Sequence, residues 1–224
     1  MTTDQYLMPT NTIEATHPLV TATAKELTQG LNTDIEKATR LFYFVRDEIR
    51  YNIYMISMFE EDFRASFIME AKKGYCVQKA VLLCALGRAA GIPTRLAFAK
   101  ILNKRVPEKL YKRVKTNIFP AHGYNQLLLE GRWISAAATF DKELCEMTGV
   151  PTVEFDGRND VLLPNLALDG GPYIEYIKRF GPETDLPLNW IVGRTSEIWG
   201  DDKRAWLRPK DENNVLDRGI GRAE

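Results

Sequence analysis

The sequence predicts an α+β fold in which a cysteine-bearing helix packs on an antiparallel sheet that carries a histidine. Three observations predict it. Apolar residues recur at helical spacing before residue 91. After residue 94 the segments become short and strand-like, and Glu130-Gly131-Arg132 reads as a tight hairpin turn between two of them. Helices first and antiparallel strands afterwards make α+β, not the alternating order of a parallel sheet.

Each element has its own local reason. Residues 17–29 form a helix that stops at Gly30. Thr33-Asp34-Ile35-Glu36 has the form of a capping box. It opens a helix whose apolar positions are Ile35, Ala38, Leu41, Phe42, Val45 and Ile49. Residues 51–73 are mixed and give no clear element. Cys76 to Ala90 reads as an amphipathic helix with a stripe of Val77, Ala80, Val81 and Cys84, closed by Gly91 and Pro93. Residues 94–102 read as a buried strand, and 123–130 with 132–139 as the hairpin. Residues 104–115 carry Lys104, Arg105, Lys109, Lys112, Arg113 and Lys115 against Glu108 alone. They read as a solvated helix face, or as a cationic lid for an anionic substrate. Beyond 150 the chain is rich in Pro, Gly and Asp, with a helix near 171–180. A catalytic core of residues 1–150 and a C-terminal extension of 151–224, packed on the same domain, are expected.

Composition narrows the function. The chain has 224 residues, 45% of them hydrophobic, enough for a sizeable core. Lys plus Arg and Asp plus Glu stand at 30 each, which speaks against nucleic-acid or membrane-surface partners. No run approaches the length of a membrane span. The N-terminal residues carry no basic and apolar leader pattern, and Cys76, Cys84 and Cys145 make no disulfide framework. A cytoplasmic setting is expected. With no CxxC or HxxxH and two histidines, neither a metal nor another cofactor is expected. Asp156 and Asp160 read as a turn with solvated carboxylates, not a calcium loop.

The chemistry concentrates in two stretches. In KKGYCVQKAVLLC, Cys76 opens a helix, where the positive end of the helix dipole acidifies a thiol. In AHGYNQLLLEGRWI, His122 opens a hairpin strand. A histidine brought beside the thiol completes a thiolate–imidazolium pair, the engine of thiol acyl chemistry. His17, before Pro18 at a helix start, reads as a capping or surface residue. Cys84 falls in the apolar stripe and reads as core, and Cys145 as packing. Trp133 packs the sheet or lines the site; Tyr75 is a substrate wall or packing.

The run G-Y-C-V-Q-K-A…L-G-R-A-A-G-I-P-T-R resembles the cysteine motif of the transglutaminase-like (papain-like) superfamily, and H-G-Y-N-Q-L-L-L-E-G-R-W-I its histidine motif. V-R-D-E-I-R-Y at 45–51 and E-F-D-G-R-N-D at 154–160 extend the likeness to uncharacterised bacterial members, over roughly residues 15–190. The resemblance implies a papain/transglutaminase-like core, with Cys76 as nucleophile and His122 as general base and then acid. It implies a third residue, an aspartate, at the position occupied here by Ala137. Asp141, the nearest carboxylate, takes that orienting role in this reading. Asn125 or a backbone carbonyl is the alternative.

The implied reaction is attack of Cys76 on an amide, ester or thioester carbonyl, with an acyl-thioester intermediate. The backbone N–H of Cys76 is one oxyanion donor; the sequence does not name the second. The favoured reading is an amidohydrolase or peptidase acting on a peptide or small amide. An amide-forming acyltransferase and a non-catalytic peptide-binding scaffold are the alternatives, the last supported by Ala137.

Overall fold

A computed structural model describes residues 3–200 of the chain. Seven α-helices and six strands follow in order: α1 Pro18–Thr28, α2 Asp34–Glu48, β1 Arg50–Tyr51, α3 Ala65–Ala71, β2 Lys73–Gly74, α4 Cys76–Ala89, β3 Thr94–Asn103, α5 Glu108–Val114, β4 Ile118–Leu129, β5 Arg132–Ala136, α6 Lys142–Thr148, β6 Ile174–Glu183 and α7 Leu188–Trp199. The α+β expectation holds. An antiparallel sheet of order β5-β4-β3-β6 carries α4 on one face, and α1, α2 and α3 pack around α4.

The local signals act as their chemistry requires. Thr33 and Glu36 close the capping box of α2, each side chain accepting from the other's backbone N–H. His17 caps α1, its Nδ1 accepting from Leu19 N–H at 3.3 Å. Glu130 and Gly131 both take positive φ, 48° and 77°, the conformation of a two-residue hairpin turn.

Two expectations change. The helix expected as amphipathic, α4, is buried on every side from Val77 to Arg88, because three helices cover the face that the sheet leaves. Its polar residues are therefore paired internally. Lys79 Nζ donates to the carbonyls of Arg46 and Ile49 at the end of α2. Arg88 donates to Met8, Thr94 and Thr184 carbonyls. Second, the segment expected as a helix near 171–180 is the strand β6, paired antiparallel to β3 with Phe98 opposite Phe180. Its Ile-Glu-Tyr-Ile run has strand alternation, and Gly181 and Pro182 follow. No helix among the described residues is long and apolar enough to cross a membrane.

Candidate active site

Cys76 is the first residue of α4. Tyr75, just before it, takes an extended backbone, and its N–H donates to Gln78 Oε1 at 3.1 Å. The fully buried Gln78 in turn donates to the carbonyl of Asp62 at 2.7 Å, which anchors the helix start to the preceding turn. Strand β2 runs parallel to β1 with Tyr51 in register with Gly74, two residues before the cysteine. The nucleophile's helix is thus fixed from below by Gln78 and from the side by β1.

His122 lies on β4, directly after a β-bulge. Ala99 pairs with His122 and Ile101 with Phe119, so Pro120 and Ala121 together oppose Lys100. A bulge re-aims the following side chain and tolerates a proline that a regular inner strand would not. Gly123 comes next, and α4 rests on it: a Cβ there would lie 2.9 Å from Val77 Cα. The Cys76 sulfur is within hydrogen-bond reach of the Gly123 N–H, so it sits against the His122–Gly123 peptide. Cys76 and His122 line one cavity of about 130 Å³.

Burial dominates the electrostatics. Removal from water pushes the Cys76 thiol up to about 11, while the backbone N–H groups of Gly123, Val77 and Cys76 itself pull it back down. Cys76 is half-buried, and it lines the cavity. The same desolvation lowers His122 to about 3. Both shifts favour the uncharged thiol and imidazole. For Cys76 the lowering by the helix-start N–H groups is smaller than the raising by desolvation. Lys79 is also lowered by burial, to about 7, against the pull of Asp141 and Asp47.

The third residue expected from the sequence is elsewhere. Asp141 caps α6, one oxygen accepting from Leu144 N–H at 3.0 Å, and its other oxygen accepts from Tyr51 N–H at 2.8 Å. Asp141 thus serves a helix start and strand β1, which corrects its assignment as the orienter of His122. Asn125 does not replace it: its amide donates to the Ala80 carbonyl at 2.9 Å on the α4 side. His122 Nε2 is sealed from solvent without a hydrogen-bond partner. Ala136, the last residue of β5, pairs with Asn125, and the fully buried Ala137 follows it, its N–H donating to the Val161 carbonyl. The Tyr124 ring stacks beside His122 at 6.4 Å. Tyr176 lies edge-on to His122 at 6.1 Å.

The basic segment resolves into α5 and its approach. Lys104 pairs with Glu175, Arg105 with Asp169, Lys112 with Glu108, and Arg113 lies over the Tyr54 ring. The segment lines the site through Pro107, Leu110 and Arg105, while Lys104, Lys112 and Arg113 take partners outside the cavity lining.

Residues that the sequence reading did not place at the site include Tyr51, Tyr173, Ile191 and Trp199, all in the cavity wall. Tyr51 lies on a two-residue strand, too short for a periodic signal. Tyr173, Ile191 and Trp199 come from the Pro/Gly-rich tail, where the sequence has few periodic segments. Trp133 packs under the Arg95 guanidinium, 3.8 Å from ring centre to carbon, away from the cavity lining. Asp156 accepts from Arg158 and Asn159 N–H groups, the turn that was expected. Among the described residues no group of three or more His, Cys, Asp or Glu could hold a metal ion.

Comparison with known proteins adds the family. The sequence model of the transglutaminase-like superfamily matches residues 21–138, which include both Cys76 and His122. Among curated proteins no match is found. Solved structures of similar fold include a "putative cysteine protease" from Cytophaga hutchinsonii, at 18% identity and a TM-score of 0.45, over 60% of this chain and 40% of that one. The periplasmic domain of TgpA from Pseudomonas aeruginosa matches at 21% identity and a TM-score of 0.40, over 54% of this chain and 42% of the other. A "putative protease" from Parabacteroides distasonis matches at 15% identity and a TM-score of 0.39, over 54% of this chain and 23% of the other. The matched region spans less than half the length of each of these structures.

Proposed function

The chain belongs to the transglutaminase-like superfamily, and on that premise we propose that it is a cysteine-dependent acyl-transfer enzyme of hydrolase type, acting on a peptide or small amide, ester or thioester. The observation that carries this reading is the shared cavity of Cys76 and His122, with the sulfur at the first turn of α4 and against the His122–Gly123 peptide.

The directions of the two pKa shifts support a neutral resting pair, so in this mechanism the proton moves during attack. His122 takes the thiol proton as the sulfur bonds to the substrate carbonyl carbon. With Nε2 sealed, Nδ1 is the ring nitrogen free to do this. The carbonyl oxygen gains negative charge and is met by the Cys76 N–H at the helix start. The imidazolium returns the proton to the leaving amine or alcohol as the carbon–heteroatom bond breaks, leaving an acyl-thioester. Water, deprotonated by His122, then attacks the thioester, and the thiol is restored with release of the acid. His122 acts here without an orienting carboxylate, which makes the site a dyad.

That same sealed Nε2 favours a second reading, a peptide-binding scaffold whose orienting group has been lost. One experiment separates the two. Incubation with an activated aryl ester, followed by acid quench and intact mass spectrometry, should show one acyl group on Cys76, and Cys76→Ala and His122→Ala should abolish turnover with the fold retained. Absence of any Cys76 adduct and of turnover in the parent would favour the scaffold. An added amine that diverts the product from acid to amide would mark the acyltransferase.

A further inference from the structure

We propose that the cavity beside Cys76 is an acyl pocket for an uncharged, apolar group of about five or six carbons, aliphatic or aromatic. This rests on the acyl-transfer reading above and deepens it. The cavity measures about 130 Å³, close to the roughly 150 Å³ of an apolar cavity that accommodates benzene. Ile53, Ile56, Leu110, Phe119, Leu163 and Ile191 supply its apolar wall.

Several polar residues of the wall are already committed. Thr195 donates to the Ile191 carbonyl at 2.8 Å and Thr148 to the Leu144 carbonyl at 2.7 Å. Asn103 Oδ1 accepts from Arg105 N–H at 2.9 Å, and Trp199 Nε1 donates to the Ile118 carbonyl at 3.0 Å. Arg105 is the one Lys, Arg, Asp or Glu among the described lining residues; its Nη2 is paired with Asp169, while its buried Nε has no hydrogen-bond partner. A charged acyl group would meet only a guanidinium already shared with Asp169, whereas each methylene buried against the apolar wall gains transfer free energy. Leu163, Ile191 and Trp199 lie beyond residue 138, outside the region matched by the superfamily model.

The test uses the full chain and p-nitrophenyl esters of acetate, butyrate, hexanoate and decanoate, with the p-nitrophenyl hemisuccinate as the charged member, each corrected with Cys76→Ala. The expected result is a kcat/KM at least tenfold higher for hexanoate than for acetate, a fall at decanoate, and hemisuccinate no better than acetate. Ile191→Trp, which narrows the cavity, should move the optimum to butyrate. A flat series, or preference for hemisuccinate, overturns the pocket and leaves the acyl-transfer reading standing. No Cys76-dependent turnover of any ester overturns the acyl-transfer reading, and this pocket with it.

A different observation assigns the second oxyanion donor. The geometry points to the Tyr51 hydroxyl acting with the Cys76 N–H. Register with Gly74 sets the Tyr51 backbone beside the cysteine's approach, Asp141 holds its N–H, and Phe140 holds its ring edge-on at 4.7 Å. The hydroxyl lies in the same cavity as Cys76, has no hydrogen-bond partner among the described residues, and is not among the sealed polar atoms. Tyr51→Phe removes that oxygen and keeps the ring. In the hexanoate assay it should lower kcat by about 10–10³-fold with KM little changed. Alkylation of Cys76 by iodoacetamide, which builds no oxyanion, should proceed at the parent's rate. Equal kcat in parent and variant overturns this role alone; equal loss of acylation and alkylation shows that Tyr51 merely supports the cysteine.

Discussion

Val77 and Gly123 touch with no room between them: a Cβ on Gly123 would stand 2.9 Å from Val77 Cα and 3.4 Å from Val77 N. This contact brings the start of α4 down onto β4 and holds the Cys76 sulfur at the His122–Gly123 peptide. The obstructing atoms are helix backbone, which cannot swing aside as a side chain could. Gly123→Ala should therefore lift the helix start, destabilise the fold by about 1–3 kcal/mol and cost most of the turnover. Urea titration and the ester assay report both. A variant with parental stability and kcat would show that the contact relaxes freely.

Lys79 illustrates the cost of a helix buried all round. Its ammonium serves the Arg46 and Ile49 carbonyls, the last of α2 before Tyr51. Lys79→Met matches the length and removes the donors, leaving two buried acceptors unpaired. A loss of about 2–4 kcal/mol in urea unfolding is expected. A stability within about 0.5 kcal/mol of the parent would contradict the pairing.

The fold and half of the site are legible in the sequence because they rest on local signals. Thr33 and Glu36 announce α2, Glu130-Gly131 the hairpin, and Gly74-Tyr75-Cys76 the start of α4. The sheet's edge strand β6 was read as a helix because its partner, β3, is far away in sequence. Nothing near residue 174 reveals that Ile174 will lie opposite Asn103. Tyr51 and Ile191 are likewise site residues only through tertiary contact. The Asp141 assignment failed for a related reason: spacing along the chain did not show that the residue opens α6 and turns its oxygens to Leu144 and Tyr51.

Cys76 should react slowly at neutral pH. With its thiol raised to about 11, against about 8.5 for a free cysteine, the thiolate fraction at pH 7 falls on the order of 10²-fold. Iodoacetamide should label Cys76 before Cys84 and Cys145, which are buried in the core, and the rate should rise about tenfold per pH unit from 7 to 9. Fast labelling that is level between pH 5 and 8 would reveal a preformed thiolate–imidazolium pair and refute the neutral resting state.

His122 makes the fold acid-sensitive in a defined window. Its native value is lowered from 6.5 to about 3, so between those limits the unfolded chain binds a proton that the folded chain refuses. Stability contributed by the neutral form is complete above 6.5 and declines as pH falls toward 3, by at most about 1.4 kcal/mol per pH unit. His122→Asn removes this term. Comparing urea unfolding at pH 7 and pH 5, the parent should lose about 1–2 kcal/mol more than the variant. Parallel losses would mean that water or a partner reaches the imidazole.

The sealed, unpartnered Nε2 of His122 invites the inverse experiment, restoring the missing carboxylate. Ala137 directly follows Ala136, which pairs with Asn125, three residues from His122 on β4. An aspartate there would accept from Nε2–H, fix the tautomer that leaves Nδ1 free as base, and stabilise the imidazolium formed during attack. Two effects compete. Burying a carboxylate at a position with no exposed surface costs several kcal/mol unless it is paired, and the imidazolium is the one cation within its reach that the reaction creates. Ala137→Asp should therefore melt earlier than the parent yet raise kcat by on the order of 10-fold or more, with the native His122 titration moved upward from about 3. NMR of the imidazole ring and the hexanoate ester assay read the two predictions separately. A lower Tm with unchanged kcat and an unmoved titration would mean that the new carboxylate points away from Nε2. The dyad would then be set by the strand geometry and not by the single missing side chain.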